Sequence, residues 1–144
     1  MADGFLSTGG IGIDTYNEAL EPQGKSIQDG DIILGAWAII AEDPEAEAAQ
    51  VADHALYQTN EYIKWGGFGP ADRATLFEAG AQAIKNGLYC LWDADTAVTE
   101  LNKLMETYPN IRDSHFWAQF SGESVGSGNK RLRYIAEKVL PHLG

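Results

Sequence analysis

Two short stretches carry side chains whose types and spacing can do chemistry. Near the start, Ser7-Thr8-Gly9-Gly10 closes a short apolar run and leads into Ile11-Gly12. Glycines let an anion approach the backbone, and hydroxyls donate hydrogen bonds without adding charge, so the segment reads as a phosphate-binding loop at a strand end. The same residues also make a tight strand-to-helix turn that needs no ligand. Toward the other end, His115, Trp117 and Gln119 alternate. In an extended chain that spacing puts all three on one face, where an indole packs and an amide hydrogen-bonds. The plainer alternative is that Trp117 is core and His115 a satisfied polar group, since interior positions are mostly packing.

Other candidates carry less. Asp93 and Asp95 have carboxylates at metal-like spacing, but Asp-x-Asp before an amphipathic helix caps free amides, and hard cations want more oxygen ligands than two carboxylates provide. No metal is expected there. His54 lies within a helical stretch with no second histidine one turn away and reads as a surface residue. Glu42, Asp43, Glu45 and Glu47 suit the positive end of a helix dipole and need no catalytic role. Cys90 is the only cysteine, so disulfides within the chain and cysteine-based zinc sites are excluded, and no Ser-His-Asp or Cys-His order can be argued.

The elements that must position these residues follow from the apolar pattern. Asp3 to Ser7 reads as a strand, and Asp14 to Leu20 as a short helix that stops near Pro22 and Gly24. Ile32 to Ile40 is apolar at both alternating positions, the signature of a parallel strand covered on both faces. Asp43-Pro44 then starts a long helix whose Ala48, Val51, Ala52, Ala55, Leu56, Thr59, Tyr62 and Ile63 recur at helical spacing until Gly66-Gly67. A turn at Gly69-Pro70 and a further helix over Arg73 to Lys85 interrupt the repeat. Leu88 to Trp92 forms a short extended piece, and a helix with Ala97, Val98, Leu101, Leu104 and Met105 follows. Ser114 to Phe120 is the last strand, and Leu132, Ile135, Ala136 and Val139 face inward from the final helix. Strand-helix units in this order imply a parallel sheet with right-handed crossovers in a single domain over residues 1–144.

Composition narrows the partners. The chain has 144 residues, 44% hydrophobic, which suits one globular core. Its net charge of −11, with no basic cluster, argues against nucleic acid and anionic membrane surfaces. No apolar run approaches the roughly 20 residues that span a bilayer, no signal segment opens the chain, and a reducing cytoplasm fits the single cysteine.

In this setting the segments resemble a known family. Ala2-Asp3-Gly4-Phe5-Leu6-Ser7-Thr8-Gly9-Gly10 is similar to the sixth-strand segment of luciferase-like flavin-dependent monooxygenases and their deazaflavin-dependent dehydrogenase relatives. Trp37 to Pro44 resembles the seventh strand and the acidic start of the next helix, and Trp92-Asp93-Ala94-Asp95-Thr96-Ala97 the motif before the penultimate helix. In that motif Asp93-Ala94-Asp95 replaces a glycine-containing turn. His115 to Glu123 together with Val139-Leu140-Pro141 resembles the last strand and C-terminus.

The resemblance implies the last three strand-helix units of a (β/α)₈ TIM barrel, with a helical insertion. A complete barrel takes about 250 residues. Met1 would then fall near the start of the sixth strand, with the first five strands missing. It implies that Ser7, Thr8, Gly9 and Gly10 contribute to a cofactor phosphate site and that His115, Trp117 and Gln119 line the lumen near a flavin ring. The cofactor of the complete barrel would be FMN or a deazaflavin, and the chemistry oxidoreductase or monooxygenase. For this chain alone the expectation is little or no catalysis, with flavin and small-molecule substrate bound only when the barrel is completed. A flavodoxin-like ligand-binding module and a non-catalytic interaction protein are the competing readings. The exposed edge of a sheet taken from a barrel predicts a homodimer or larger homo-oligomer through Asp3 to Ser7 or the face beside Trp37.

Overall fold

A computed structural model describes residues 4–144, apart from the side-chain surroundings of residues 87 and 88; Met1, Ala2 and Asp3, and with them the expected first residue of the opening strand, lie outside the described residues. Strand β1 (Gly4–Thr8) pairs in parallel with β2 (Asp31–Ala36), and β2 pairs in parallel with β5 (Ile111–Phe116). A six-residue helix, α1 (Ile13–Glu18), and two 3₁₀ turns connect β1 to β2. The architecture is mixed α/β with parallel strands, as the sequence implies.

The apolar run Ile32 to Ile40, expected as one strand, is two. It breaks at Trp37, and its second piece, β3 (Ala38–Ile40), pairs in parallel with β4 (Cys90–Trp92) in a separate two-stranded sheet. A change of hydrogen-bond partner causes the break. The Gly35 carbonyl accepts from the Gly9 N–H at 2.7 Å, whereas the Trp37 carbonyl accepts from the Cys90 N–H at 2.8 Å. Periodicity reports burial, and burial does not change where the partner does.

Beyond Trp37 both faces are covered. Trp37 and Ile39 join Ala48, Val51 and Ala55 of helix α2 (Pro44–Lys64) in one core with Tyr89 and Phe120. Ala38 and Ile40 join Ala97 and Leu101 of α4 (Ala94–Thr107) and Ile135 of α5 (Val125–Lys138) in another. Before Trp37 the expected cover is present on one face only. There Phe5 stacks on Tyr16 of α1 at 5.3 Å, and Ile32 and Leu34 are buried. The opposite face carries Leu6, which is 61% exposed, and the half-buried Ile33.

The helices start where the capping residues predict. The Asp43 side chain accepts from the Ala46 N–H at 2.9 Å with Pro44 in the first turn, and Asp93 accepts from the Thr96 N–H at 2.8 Å. The helix expected over Arg73 to Lys85 is instead a 3₁₀ turn at Ala71–Arg73 and a short helix, α3 (Gly80–Ala83), that runs into one π turn at Ile84–Leu88. Asn60 of α2 explains the interruption. Its amide donates to the Phe77 carbonyl and accepts from the Phe77 N–H, both at 2.9 Å, and so takes the backbone groups that a helix would use. Among the described residues no helix is long and apolar enough to cross a membrane.

Helix α3 meets α2 at closest range through Gly80, where a Cβ would lie 2.0 Å from the Ala52 carbonyl oxygen. Backbone cannot yield as a side-chain tip can. Gly80→Ala is therefore expected to destabilise the chain by about 1–3 kcal/mol or more, the range for forced overpacking. Urea denaturation followed by circular dichroism checks this; an unchanged midpoint would mean that α3 moves away freely.

Candidate functional site

Parallel register brings three strand ends together. Thr8 of β1 is aligned with Gly35 of β2, and Gly35 with His115 of β5. Residues in register share a face of the sheet, so Thr8, Gly35 and His115 form one row on the open side, with Leu6, Ile33 and Asp113 as the next row below. Thr8 and His115 are both exposed. The row lies at the C-terminal ends of the strands, the end from which barrel folds present ligand-binding groups.

Ser7 points the other way. It is 1% exposed, and its hydroxyl donates to the Ile11 carbonyl at 2.9 Å, so it braces the turn from beneath. The Gly9 N–H is taken by the Gly35 carbonyl. Gly9, Gly10 and Gly12 all have positive φ, at 63°, 83° and 80°, a region that residues with a Cβ rarely enter. Nothing lies within 4 Å of where a Cβ would stand at Gly9 or Gly10. The loop above the row is therefore bare backbone, open to approach, with the Thr8 hydroxyl beside it.

The last strand ends at Phe116 rather than Phe120, and begins at Ile111 rather than Ser114. Past Phe116 there is no longer a β2 residue to pair with, because β2 itself ends at Ala36. Of His115, Trp117 and Gln119, expected on one face of a strand, only His115 lies in the strand. Trp117 folds over the row, its six-membered ring 3.1 Å from the position of a Gly35 Cβ. Gln119 turns to α5 instead, where its Cβ and Cγ come within 3.0 Å of a Cβ at Gly128. Thr8, Gly9, Gly10, His115 and Trp117 thus gather at one place, while Ser7 and Gln119 serve the surrounding frame.

The segment that carries Trp117 is pinned by a buried ionic cluster that no local motif announces. Arg131 of α5 is 1% exposed. Its Nε and Nη2 donate to the Ala118 carbonyl at 3.0 and 2.8 Å, its Nη1 to Glu47 of α2 at 2.6 Å, and its Nη2 to Glu123 at 2.6 Å. Glu123 also accepts from the Phe120 N–H at 2.9 Å, and Lys130 adds a second cation to Glu47 at 3.1 Å. His54, expected at the surface, is half-buried with its Nδ1 3.2 Å from the Ser121 carbonyl, a further tie from α2 to this segment. Burial pushes the Glu123 carboxyl upward, but hydrogen bonds from Arg131, the Phe120 N–H and Ser127 outweigh it and hold the group below its ordinary value.

Elsewhere the chemistry is bland. Asp93 is held low by its hydrogen bonds to Thr96, as a capping carboxylate should be. The Cys90 thiol is pushed up by burial and by Glu100, which removes thiolate character. The Tyr89 hydroxyl, buried against Thr59 at 2.9 Å, is pushed up to about 12, chiefly by desolvation. Among the described residues no group of three or more His, Cys, Asp or Glu side chains is placed to hold a metal.

No family model matches the chain, and no curated protein matches it. Among solved structures it is similar over its full length to the coenzyme F420-dependent tetrahydromethanopterin reductase from Methanopyrus kandleri, with a TM-score of 0.59 and 15% identity. The chain spans 46% of the length of that structure. This is a likeness of fold, and it agrees with an α/β chain built as part of a (β/α)₈ barrel.

Because the folded Glu123 carboxyl sits below its ordinary value of 4.5, its contribution to stability is full above that pH and disappears as pH falls through the folded value. Thermal midpoints of the wild type are expected to fall as the pH drops below 4.5, and Glu123→Gln should start lower near neutrality and lose less on acidification. Parallel acid profiles for the two proteins would remove Glu123 from this account.

Proposed function

We propose that this chain forms part of a flavin- or deazaflavin-dependent barrel oxidoreductase of the luciferase-like kind, and that its open sheet face is one wall of the cofactor site. The observation that carries this reading is the Thr8–Gly35–His115 row, three strand ends in register with Trp117 over the central Gly35. The full-length likeness of fold to a coenzyme F420-dependent reductase supports it.

The residues fit a flat ring system with a phosphate-bearing tail. Trp117 covers Gly35, so a ring would lie against the indole, with the exposed His115 imidazole and Thr8 hydroxyl as flanking hydrogen-bonding groups. The positive-φ backbone at Gly9 and Gly10, with open space above it, suits a phosphate oxygen next to the Thr8 hydroxyl. A bound flavin or deazaflavin supplies the hydride transfer. The chain's own groups bind and orient: Trp117 packs and excludes water, His115 holds a polar edge, and Thr8 donates to the phosphate. Ser7, through Ile11, keeps the loop in place.

One wall binds weakly. FMN and deazaflavin titrations of the purified chain, followed by visible absorbance, are expected to give dissociation constants weaker than micromolar. Thr8→Val should weaken them further, by about 1.5–3 kcal/mol for a hydrogen bond to a charged group. An unchanged affinity in Thr8→Val removes Thr8 from the site, and tight binding to the wild type shows that this wall suffices alone.

The open face and the outer edges of β1 and β5 also favour self-association, because unpaired strand edges and apolar side chains such as Leu6 gain cover from a second copy. A two-fold dimer through β1 or the face beside Trp37 is the simplest closed form. Light scattering at micromolar concentration should report a dimer or larger species; a stable monomer overturns this.

A further inference from the structure

Trp117 takes its place over Gly35 without a strand to hold it. β5 ends at Phe116, and neither strand nor helix covers residues 117–124. The sheet reaches Trp117 through one long bond, from its N–H to the Ala36 carbonyl at 3.4 Å. One residue further on the grip is much firmer. Nε and Nη2 of Arg131 both donate to the Ala118 carbonyl, at 3.0 and 2.8 Å, and Ala118 is buried. Hydrogen bonds from a charged donor are roughly twice as strong as neutral ones, so the guanidinium rather than the sheet fixes the backbone beside Trp117.

The guanidinium is itself held in one orientation. Nη1 donates to Glu47 at 2.6 Å and to the Ser127 hydroxyl at 3.3 Å, and Nη2 donates to Glu123 at 2.6 Å. Both carboxylates are buried, and Lys130 beside Glu47 brings the cluster to two cations against two anions. A buried cluster of this kind often adds no net stability over apolar groups of equal volume, whereas it does fix a geometry. Lysine could not replace the arginine here, because an ammonium is a point charge with no flat edge to present two parallel donors to one carbonyl.

We propose that Arg131 is a positioning residue: its two-donor grip on the Ala118 carbonyl sets the Trp117 indole over Gly35, and through the indole it sets how the Thr8–Gly35–His115 row receives a redox ring. The proposal rests on the cofactor reading above, in which that ring lies against Trp117. Arg131 is 1% exposed, and none of its hydrogen-bond partners belongs to the row, so it acts on the row through Trp117 alone.

The test follows nuclear Overhauser contacts between the six-membered ring of Trp117 and the Gly35 Hα protons in the full chain, with the urea midpoint measured on the same samples. Arg131→Lys keeps the charge without the fork and is expected to lose most of the contact. The triple variant Glu47→Gln, Glu123→Gln, Arg131→Gln leaves no carboxylate of the cluster facing a missing cation, and it should lose the contact as well. Glu123→Gln alone should lower the midpoint yet keep the contact, because Arg131 still holds Ala118; a purely structural role would instead make contact and midpoint fall together in every variant. A contact kept in both Arg131 variants, or lost equally in Glu123→Gln, overturns the proposal. FMN titration of the same samples reads the second half: the dissociation constant should rise about threefold to tenfold in Arg131→Lys, the size of one aromatic contact, and stay unchanged in Glu123→Gln. Unchanged FMN affinity in an Arg131→Lys chain that has lost the contact overturns the link to the row. Absence of FMN binding in the wild type overturns the cofactor reading itself, while the Overhauser contacts still decide whether Arg131 places Trp117.

Discussion

The Arg131 guanidinium is the constraint around which this chain is arranged. A buried cation is costly unless every donor finds an acceptor, and Arg131 meets that demand with the Ser127 hydroxyl on its own helix and with the Ala118 carbonyl, Glu47 and Glu123 from beyond its helix. Those last three come from separate places: the segment after β5, the first turns of α2, and the approach to α5. A guanidinium fork fixes angles as well as distances, so the three segments are held in one relative pose. Phe120 lies under the same group, 5.4 Å from ring centre to guanidinium carbon, which joins the polar cluster to the aromatic core. Trp117 sits one residue before the anchored Ala118 carbonyl. Its place over Gly35 is thus a consequence of charge pairing on the far side of the chain.

Local signals were legible and distant ones were not. Asp43, Pro44 and Asp93 mark helix starts because a cap involves residues two or three apart. The two-sided burial read for Ile32 to Ile40 holds for Ala38 to Ile40, beyond Trp37, and fails before it, where Ile33 faces the open side. The exchange of β1 for β4 at Trp37 was not legible, because it depends on where Cys90 arrives from the far side of a long excursion. The last strand was misplaced for a related reason. Arg112 and Asp113 look like loop residues, yet they sit in β5 because one face of that strand is open to water and Arg112 pairs with Asp31.

The site was half legible for the same physical reasons. Thr8, Gly9 and Gly10 announce a loop by type, and the alignment of Thr8 with His115 follows only once both are known to flank β2. Alternation misled at Trp117 and Gln119, since it assumes an extended chain that ends earlier than the apolar residues do. The Glu47–Arg131–Glu123 cluster did leave one trace. Gly128, Arg131 and Ile135 fall three and four residues apart on α5, so Arg131 lies on the buried stripe of its helix. A charged residue on such a stripe must have partners, though spacing cannot name them.

The open face differs in composition from a packed barrel interior. Faces that only pack against other strands of a barrel interior are dominated by branched aliphatic residues in layers. Here the lower row, Leu6, Ile33 and Asp113, is partly of that kind, but the row above it is Thr8, Gly35 and His115. A glycine at its centre makes no contact of its own, and a side chain there would displace the Trp117 ring, already 3.1 Å from the Cβ position. Gly35 and Trp117 are therefore one feature: the missing side chain makes room for an indole that the Arg131 anchor delivers from outside the strand. Small, polar and aromatic groups meeting at strand ends set this row apart from the branched aliphatic layers of a barrel interior, and the proposed cofactor wall rests on that contrast.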